Sequence, residues 1–598
     1  MKKIAELVSK TAQTIFGSGI PDGCVTVDIT PDAALGDWAV GCFQLARHAG
    51  KRPDEVAGML AQELKTNPDL VDAQAAGGYL NVKASAGFLA KAAAEFVPSS
   101  AVKGEGTVVV DYIGPNASKP LHIGHLCTPS FGQAAINALR FQGYEVIGDT
   151  HIGDWGGVFG KLIIGWKRAV ARDGLDAQEA KKAKDGIYHL VTLYQEVSAD
   201  TDREEKAREA AKEAGNPPPA CPTEELCRQE FKKLSEGDPE NVEIWRSFTE
   251  ISVAGIREQA ARLRAYPDFD IGESFYEGVA LPRLGLQPAL LPEEKMSSVV
   301  AELVASGVAN RNEDGSTGVE FPKAAKLPSV MLQKRDGTHG YLASDLSCIK
   351  YRLRVFSPKK IVYFVDMRQQ THFKQCFATA SSAWIKDGSV ELTHAANGFI
   401  KTKEGAMSTR KGNVIFLDDV VDEADKRIKD VLAGKGRELS ADNIEKIAVT
   451  ALKWSVLSQD RERDIIFDWD KILALEGNSG PYVLYALVRA RKMLTELGTP
   501  GAVPSDAPLT QYDRDLVRLA WRFETMVDRA AAQYKPHHLA QYAFDLAASF
   551  NSFYANAGNV KNEADATLKA ARVHMVAMVE RALAKAFEVL ALPVPEEM

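Results

Sequence analysis

The sequence predicts a multidomain α/β protein in which a parallel-sheet domain with helical insertions lies between a small α+β domain and an all-α domain. The chain has 598 residues, more than a single hydrophobic core usually contains. A β–α–β pattern begins near residue 108 and returns near residue 360, whereas residues from about 440 onward lack strand signals. We therefore place the domains at residues 1–104, 105–438 and 439–598.

The N-terminal region has the mixed pattern of a small α+β domain. One helical face is predicted to hold Ile4, Leu7, Val8, Thr11 and Ile15, which favours an amphipathic helix over a signal peptide. An alternating strand pattern is formed by Val25, Val27 and Ile29. Residues Ser85 to Phe96 are predicted to be helical with Ser85 as the N-cap, and Val97–Gly106 is predicted to be a linker.

The central region contains the elements of a parallel sheet. Val108 to Tyr112 is a largely apolar run typical of a buried parallel strand, and a loop with Gly114 and Pro115 follows it. A predicted helix, His125 to Phe141, leads to a second strand, Tyr144 to Ile147. Such a unit predicts a Rossmann-type sheet with its ligand at the carboxyl ends of the strands.

The remaining segments are predicted from charge and periodicity. Residues from about 165 to 260 are rich in charge and alanine and are interpreted as a helical insertion, most of whose charges a solvated surface also explains. The sheet pattern returns at Lys360 to Asp366, followed by a helix to about Trp384. Helices are then predicted at Ile444–Leu457, Tyr482–Leu497, Tyr512–Gln533 and Leu568–Leu590.

Composition excludes several classes of protein. The net charge of -8 is weak evidence against a nucleic-acid partner, because a local basic stripe can still bind phosphates. The seven cysteines include no Cys-x-x-Cys pair and no zinc spacing, so we expect free thiols in a reducing cytosol and no structural zinc. No run approaches 18 uninterrupted apolar residues, so we expect no membrane span.

The strongest short motif is His122-Ile123-Gly124-His125, between a predicted strand and a predicted helix. A helix N-terminus offers free N–H groups and a positive dipole end, which suit phosphate. Two imidazoles there can donate hydrogen bonds to ATP phosphate oxygens, and Gly124 would let the adenine approach the backbone. This placement argues against two ordinary surface histidines and, together with the second motif described next, favours an ATP site here.

A second motif, Met407-Ser408-Thr409-Arg410-Lys411-Gly412-Asn413, is a polar loop with two cations. Alone it is typical of a solvated turn. Together with His122–His125, it resembles the two ATP signatures of the class I aminoacyl-tRNA synthetases. The resemblance implies ATP-binding residues His122, Gly124, His125, Met407, Ser408, Thr409, Arg410 and Lys411, and catalytic residues Lys119, His122, His125, Ser408 and Arg410.

An ordered set of further motifs resembles the arginyl-tRNA synthetase family over nearly the whole chain. The longest is Asp111 to Leu126, which contains the first ATP signature. The others are Gly36-Asp37-Trp38, Gly77 to Val82, Gly153 to Gly156, Gly272 to Tyr276, Tyr341 to Leu346, Val365 to Gln369 and Gly480-Pro481-Tyr482. The resemblance implies a catalytic sheet domain, an N-terminal domain that touches the tRNA elbow, and a C-terminal anticodon-binding domain.

The resemblance also implies an arginine pocket, formed by Gly114, Pro115, Asn116, His125, Glu273, Tyr341, Asp345 and Gln369. A guanidinium is planar and always charged, so it suits a fork of carboxylates and an aromatic face. Asp345 and Glu273 would take the guanidinium, with Tyr341 against it, while Asn116 and Gln369 would hold the α-amino and carboxylate groups. The alternative for Asp345 is a helix N-cap or a surface acid.

Several positions depart from the family's usual pattern. Gly114, Cys127 and Arg368 replace a common serine, arginine and glycine, and Ala406 and Thr409 replace two lysines of the second signature. Some cation must still meet the charge that builds on the leaving diphosphate. Lys119 and Lys411 are both candidates, with Arg410 a lesser one, and a solvated loop lysine is the alternative interpretation of Lys119.

The reaction implied is ATP-dependent activation of L-arginine, followed by its transfer to tRNA(Arg). ATP with Mg²⁺ would be the nucleotide, and we expect a cytoplasmic monomer whose activation step needs bound tRNA. The predicted helix from Tyr482 combines cations with an aromatic ring, a mixture that suits RNA: Tyr485, Arg489, Arg491 and Lys492. For each cation, a solvated helix face is an equally good explanation.

Two other functions are compatible with parts of this pattern. One is a synthetase for another amino acid or a smaller nucleotidylyltransferase with the first signature, but the latter lacks a long helical C-terminus and some of the former carry zinc-ligand cysteines. The other is a non-catalytic tRNA-binding relative, which the presence of Lys119, both imidazoles and Ser408–Arg410 disfavours.

Overall fold

The computed structural model describes residues 1–30, 32–279, 288–386, 388–402, 405–406, 415–434, 436–498 and 500–598. The chain divides into two compact units. One unit combines residues 1–102, 428–458 and 469–598, and the other combines residues 103–427 and 459–468. The N-terminal and C-terminal segments predicted from the sequence therefore share one unit.

The N-terminal segment is a four-stranded antiparallel sheet with helices. Its elements are α1 (Lys2–Phe16), β1 (Thr26–Ile29), β2 (Trp38–Gly41), α2 (Phe43–Ala49), α3 (Pro53–Leu64), β3 (Leu70–Ala76), β4 (Tyr79–Ala84) and α4 (Ala86–Ala94), with strand order β1-β2-β4-β3. The amphipathic α1 buries Ile4, Val8 and Ala12, as its spacing predicts. Ser85 caps α4 by accepting a hydrogen bond from the Phe88 N–H at 3.2 Å.

The second unit is built on a five-stranded parallel sheet among the described residues. Its strands are β5 (Thr107–Asp111), β6 (Glu145–Ile152), β7 (Phe269–Gly272), β11 (Lys360–Tyr363) and β12 (Glu391–His394), in the order β12-β11-β5-β6-β7. Val108, Val109 and Val110 are fully buried, which explains the continuous apolar run of β5. The strands added after β5 lie on one side of it and those added later lie on the other, so the strand order reverses between β5 and β11, where such sheets bind ligands.

The other elements of this unit surround that sheet. They are α5 (Cys127–Phe141), α6 (Gly157–Asp173), α7 (Leu175–Asp185), α8 (Ile187–Glu213), α9 (Pro222–Ser235), α10 (Pro239–Arg262), α11 (Glu273–Glu277), α12 (Met296–Ala305), β8 (Asn310–Arg311), β9 (Thr317–Val319), β10 (Val330–Gln333), α13 (Tyr341–Phe356), α14 (Gln370–Ala383), β13 (Ile400–Thr402), β14 (Gly405–Ala406) and the first part of α15 (Leu417–Gly434). The region predicted as a helical insertion lies on α6 to α10, between β6 and β7.

The C-terminal segment is helical, with one correction. Its helices are α16 (Ala441–Leu457), α17 (Trp469–Ile472), α18 (Gly480–Leu497), α19 (Gln511–Ala520), α20 (Phe523–Gln533), α21 (His537–Asn556) and α22 (Ala566–Val589). The prediction that no strand follows residue 440 is wrong, because β15 (Ile465–Phe467) pairs in parallel with β13. A three-residue apolar run carries too little periodicity to identify a strand whose partner lies far away in the sequence.

One predicted helix is also divided. Tyr512–Gln533 forms α19 and α20, which are interrupted at Trp521 and Arg522. Trp521 stacks on Trp38 with ring centroids 5.0 Å apart, inside the same unit. The break therefore follows from a tertiary contact that the local periodicity does not contain.

Candidate active site

The candidate site lies at the carboxyl ends of β5, β6, β7 and β11. The chain leaves β5 through Ile113 and Gly114, whose φ angles are 75° and 61°. A β-branched residue rarely adopts this left-handed region, so the buried Ile113 marks a strained turn that the surrounding packing must hold. Pro115 accepts the Gly153 N–H at 3.0 Å, which joins the ends of β5 and β6. Asn116 is exposed in this loop and forms an isolated parallel β-bridge with Gly153.

The two histidines of the first motif form one compact turn, a 3-10 turn over Ile123–Leu126. The Gly124 N–H donates to His122 Nδ1 at 3.0 Å, and the His122 N–H donates to His125 Nδ1 at 3.1 Å. Because each Nδ1 accepts, each neutral ring carries its proton on Nε2 and can donate there. Burial lowers the pKa of both rings, and for His125 burial and the neighbouring His122 lower it to about 3. Two neutral donors therefore stand side by side, with ring centroids 4.1 Å apart.

Gly124 has a role that sequence reasoning missed. A Cβ at this position would lie 2.7 Å from His122 Cε1, so a larger residue would displace the ring. The predicted helix from His125 begins as an α-helix only at Cys127, because the 3-10 turn precedes it. The histidines thus lie in the turn that leads into α5 rather than inside its first turn.

Lys119 lies in the loop before this turn. Its Nζ is 4.5 Å from the centroid of the Tyr194 ring on α8, and among the described residues no carboxylate pairs with it. Its positive charge contributes to the lowered pKa of His122, after burial. The predicted site residues Met407, Ser408, Thr409, Arg410 and Lys411 lie outside the described residues. The segment that follows them is described, since the Ile123 N–H donates to the Ile415 carbonyl at 3.0 Å.

A group of acidic side chains lies beyond the ends of β6 and β7. Glu273 begins α11, and its pKa is raised well above 4.5 by burial and by Asp154, Asp345 and Glu277. Among the described residues no hydrogen bond or ion pair partners Glu273. Asp154 already has hydrogen-bond partners, since it accepts from both the N–H and the hydroxyl of Ser274 at 2.8 Å. The group therefore brings several carboxyl groups close together, and a cationic ligand would favour the ionised form of Glu273.

Asp345 completes this acidic group from α13. Its carboxylate lies 2.5 Å from His372 Nε2 and 3.9 Å from His151 Nε2, while Ser344 bonds the same His151 nitrogen at 3.2 Å. Burial would raise the pKa of Asp345, but the two histidines outweigh it and the pKa is lowered. Asp345 is the fifth residue of α13, which excludes the N-cap alternative.

The other predicted arginine-pocket residues lie at the rim. Tyr341 is on the same helix as Asp345, as the spacing predicts, and is 78% exposed. Gln369 is also exposed, at the end of the 3-10 turn after β11. Its neighbour Arg368 is turned toward Asp366, with Nη2 2.6 Å from the carboxylate, and its guanidinium stacks over Phe399 at 4.8 Å. Arg368 therefore has partners of its own, separate from those expected of Gln369.

Sequence reasoning missed three histidines around the acidic group. These are His151, His372 and His339, whose Nδ1 lies 2.9 Å from Glu277 Oε1. His151 lies next to the end of β6, so the rule that ligands bind at strand carboxyl ends could have identified it, and His372 lies in the first turn of α14, the helix that follows β11. His339 lies in a connection between β10 and α13, where no comparable signal exists.

The described residues contain no metal cluster and no membrane-spanning helix, and their cysteines are free. Within the described part of the chain, no three His, Cys, Asp or Glu side chains converge as a metal site. Among the helices of the described chain, none is both long and apolar enough to cross a membrane. All seven cysteines are free thiols, and Cys221 alone is not buried.

Three family models match the chain. Residues 91–469 match the catalytic domain of class I tRNA synthetases (R), and residues 2–84 match the arginyl-tRNA synthetase N-terminal domain. Residues 483–598 match the DALR anticodon-binding domain. The three matches follow one another along the chain in the order of the segments described above.

Individual relatives agree with these matches. The chain is 32% identical over 592 residues to an arginine–tRNA ligase of Fusobacterium nucleatum, covering 96% of this chain and 95% of the relative. It is 30% identical over 587 residues to an arginine–tRNA ligase of Clostridium acetobutylicum, covering 96% of each. Its fold matches a solved arginyl-tRNA synthetase of Thermus thermophilus with a TM-score of 0.76, 23% identity and complete coverage of both chains.

Proposed function

From the premise that this chain belongs to the arginyl-tRNA synthetase family, we propose how its residues divide the work of the reaction. The protein is an arginine–tRNA ligase: it activates L-arginine with ATP, releasing diphosphate, and transfers arginine to tRNA(Arg), releasing AMP. What we propose is the assignment of each substrate group to named side chains.

The observation that carries the assignment is the acidic group around Glu273. A half-buried carboxyl group without a cation among the described residues is destabilised in its ionised form, and this raises the pKa of Glu273. A guanidinium can satisfy two carboxylates at once, so arginine would place it between Glu273 and Asp345. Tyr341 would cover its face from the rim, and Asn116, Gln369 and the loop of Gly114 and Pro115 would meet the α-amino and carboxylate groups.

The phosphates of ATP lie, in this proposal, at the His122–His125 turn. Two neutral Nε2–H donors can approach phosphate oxygens without the cost of desolvating a charged ring. His125 would also meet the arginine carboxylate that attacks the α-phosphate. Lys119 would stabilise the leaving diphosphate, since the Tyr194 ring holds its ammonium group without neutralising it. Ser408, Arg410 and Lys411 would add contacts from the second signature.

The remaining proposals concern the substrate form, assembly and location. We propose MgATP as the nucleotide, because the metal neutralises phosphate charge that the missing loop lysines do not. We also propose a cytoplasmic monomer.

The C-terminal helical segment would bind the anticodon. There Arg489 lies between the exposed rings of Tyr485 and Tyr554, at 4.4 and 4.3 Å.

Asp345→Asn tests the arginine assignment. Truncating one partner of a buried charge pair costs about 2–5 kcal/mol. The KM for arginine should rise strongly, and the KM for ATP should move little, in diphosphate exchange measured with tRNA present. Asp336→Asn, an exposed acid before α13, is the matched control and should leave both constants unchanged. Equal weakening of both substrates by Asp345→Asn would refute the role.

Lys119→Ala tests the leaving-group assignment in the same assay. Loss of one preorganised donor should lower the rate of adenylate formation by roughly 10²–10³, with arginine affinity nearly unchanged. Lys411→Ala should be measured beside it in single-turnover experiments. A near-normal rate for Lys119→Ala with a large loss for Lys411→Ala would transfer the role to Lys411.

A further inference from the structure

The helical insertion reaches the phosphate side of the sheet through the buried side chain of Gln259 on α10. Gln259 Oε1 accepts the Leu121 N–H at 2.8 Å. Its Nε2 donates to Asp418 Oδ2 at 2.6 Å and to the Tyr188 hydroxyl at 3.1 Å. We call Gln259, Tyr188, Asp418 and Leu121 the Gln259 junction. One amide thus connects two helices of the insertion with two chain segments beside the site.

Asp418 is the charged centre of this junction. Besides Gln259, it accepts from the Tyr188 hydroxyl at 2.7 Å and from Arg262 Nη1 at 2.9 Å. Burial would raise its pKa, but the hydrogen bonds of Gln259, Tyr188 and Arg262 outweigh burial and lower it. The carboxylate is therefore ionised and held from three sides, which fixes its position more firmly than a single surface ion pair would.

The two segments joined by the junction flank the ATP site. Leu121 directly precedes His122, and Asp418 is three residues after Ile415, the first described residue after the second signature. Leu121 and Leu417 are also joined through the backbone, since the Leu417 N–H donates to the Leu121 carbonyl at 2.9 Å. The Tyr188 ring packs edge-on against Phe416, with centroids 5.2 Å apart. The junction thus fixes the register of these segments as well as their separation.

Helix α8 of the insertion also contacts Lys119, the cation proposed to stabilise the leaving diphosphate. Tyr194 lies on α8, six residues after Tyr188, and its ring contacts the Lys119 ammonium. One rigid helix therefore contacts Lys119 through Tyr194 and Asp418 through Tyr188. In the sequence, Lys119 precedes the His122 turn and Asp418 follows it.

We propose that α8 and α10 position the His122 turn and residues 416–418, with Gln259 and Tyr188 as positioning residues that act through Leu121 and Asp418. The proposal rests on the assignment of ATP to the His122 turn. Since transition-state stabilisation depends on donors held in place beforehand, a shift of these segments lowers the rate of activation. The carboxyl groups assigned to the guanidinium, Glu273 on α11 and Asp345 on α13, lie outside the junction, so the KM for arginine should change little.

Tyr188→Phe tests the proposal with the smallest change. It removes the hydroxyl that bonds Asp418 and keeps the ring that packs on Phe416. The expected result is a loss of about tenfold in kcat for arginine-dependent diphosphate exchange with tRNA bound, with the KM for arginine unchanged. Tyr266→Phe, which removes a hydroxyl from an exposed ring of the same unit, should change neither constant.

Gln259→Met and Asp418→Asn extend the test to a double-mutant cycle. Tyr188→Phe should cost little more in an Asp418→Asn background, because both changes remove the same contact. Unchanged kcat in Tyr188→Phe and Gln259→Met would overturn the proposal, and so would a loss explained by a lower melting temperature with kcat and the KM for arginine affected together. If the wild-type protein shows no exchange with arginine, the proposed function itself fails, whatever the variants do.

Discussion

At the scale of single residues, neighbours set the protonation state that each site group needs. Backbone N–H groups hold both histidines of the ATP turn in one tautomer, and burial keeps them neutral. In the arginine pocket, burial would lower the pKa of His372, but its hydrogen bond to Asp345 outweighs that effect and raises it above 6.5. Below this raised pKa, the proposed arginine pocket therefore contains a protonated imidazole where the guanidinium would bind.

This arrangement predicts that arginine binds better as pH rises. Deprotonation of His372, as pH passes its raised pKa, frees Asp345 to pair with arginine. The pKa of Glu273 is raised as well, and a bound guanidinium favours its ionised form, so binding also releases a proton there. Both effects have the same sign, and the KM for arginine should fall as pH increases from about 6 to 8, near the reference pKa of histidine.

The measurement is the KM for arginine across that range at saturating ATP and tRNA. His372→Asn should flatten much of the dependence, and Glu273→Gln should remove the part that belongs to the carboxyl group. A KM for arginine that rises with pH in the wild-type protein would contradict this description of the pocket.

At the scale of elements, continuous or periodic patterns were predictable and long-range pairings were not. The apolar run from Val108 to Val110 predicts β5, because both faces of this parallel strand are buried. In contrast, β15 and the division of α19 from α20 depend on partners distant in the sequence. The same distinction holds in the site. Motifs predicted the His122 turn, whereas the contact of His372 with Asp345 requires two elements to meet in space.

The core beneath the site contains a buried charge cluster that joins elements of the sheet unit. Arg352 on α13 donates to Asp111 at 2.7 Å and to Asp149 at 2.7 and 3.0 Å, and its side chain is fully buried. Asp111 is the last residue of β5 and Asp149 lies within β6, so one guanidinium connects α13 to two central strands. The geometry of Asp345, seven residues earlier on α13, depends on this connection.

Arg352→Met should therefore destabilise the protein by about 3–5 kcal/mol, because it leaves two buried carboxylates without their cation. Urea denaturation measures the loss. Arg246→Met, which breaks an exposed ion pair with Glu243 in the same unit, is the control and should change stability little. An equal, small effect of both substitutions would mean that the buried carboxyl groups are neutral rather than paired.

At the scale of the whole molecule, the order of the domains predicted from the sequence is the order in which the three family models match the chain. The N-terminal and C-terminal segments share one unit and contact each other through buried arginines, for example Arg514, whose Nη1 lies 2.7 Å from Asp37 Oδ2. The family models assign an anticodon-binding domain to the C-terminal segment. We expect from the family resemblance that activation of arginine requires bound tRNA.

Amino-acid-dependent exchange of diphosphate into ATP, measured with and without tRNA(Arg), tests the central claim most directly. The acidic pocket predicts exchange with arginine and none with lysine, whose ammonium group cannot bridge two carboxylates as a planar fork does. The family resemblance predicts that the exchange disappears when tRNA is omitted. Rapid exchange with arginine alone would contradict the predicted requirement for tRNA. Exchange supported by another amino acid and not by arginine would contradict the assignment of the pocket itself.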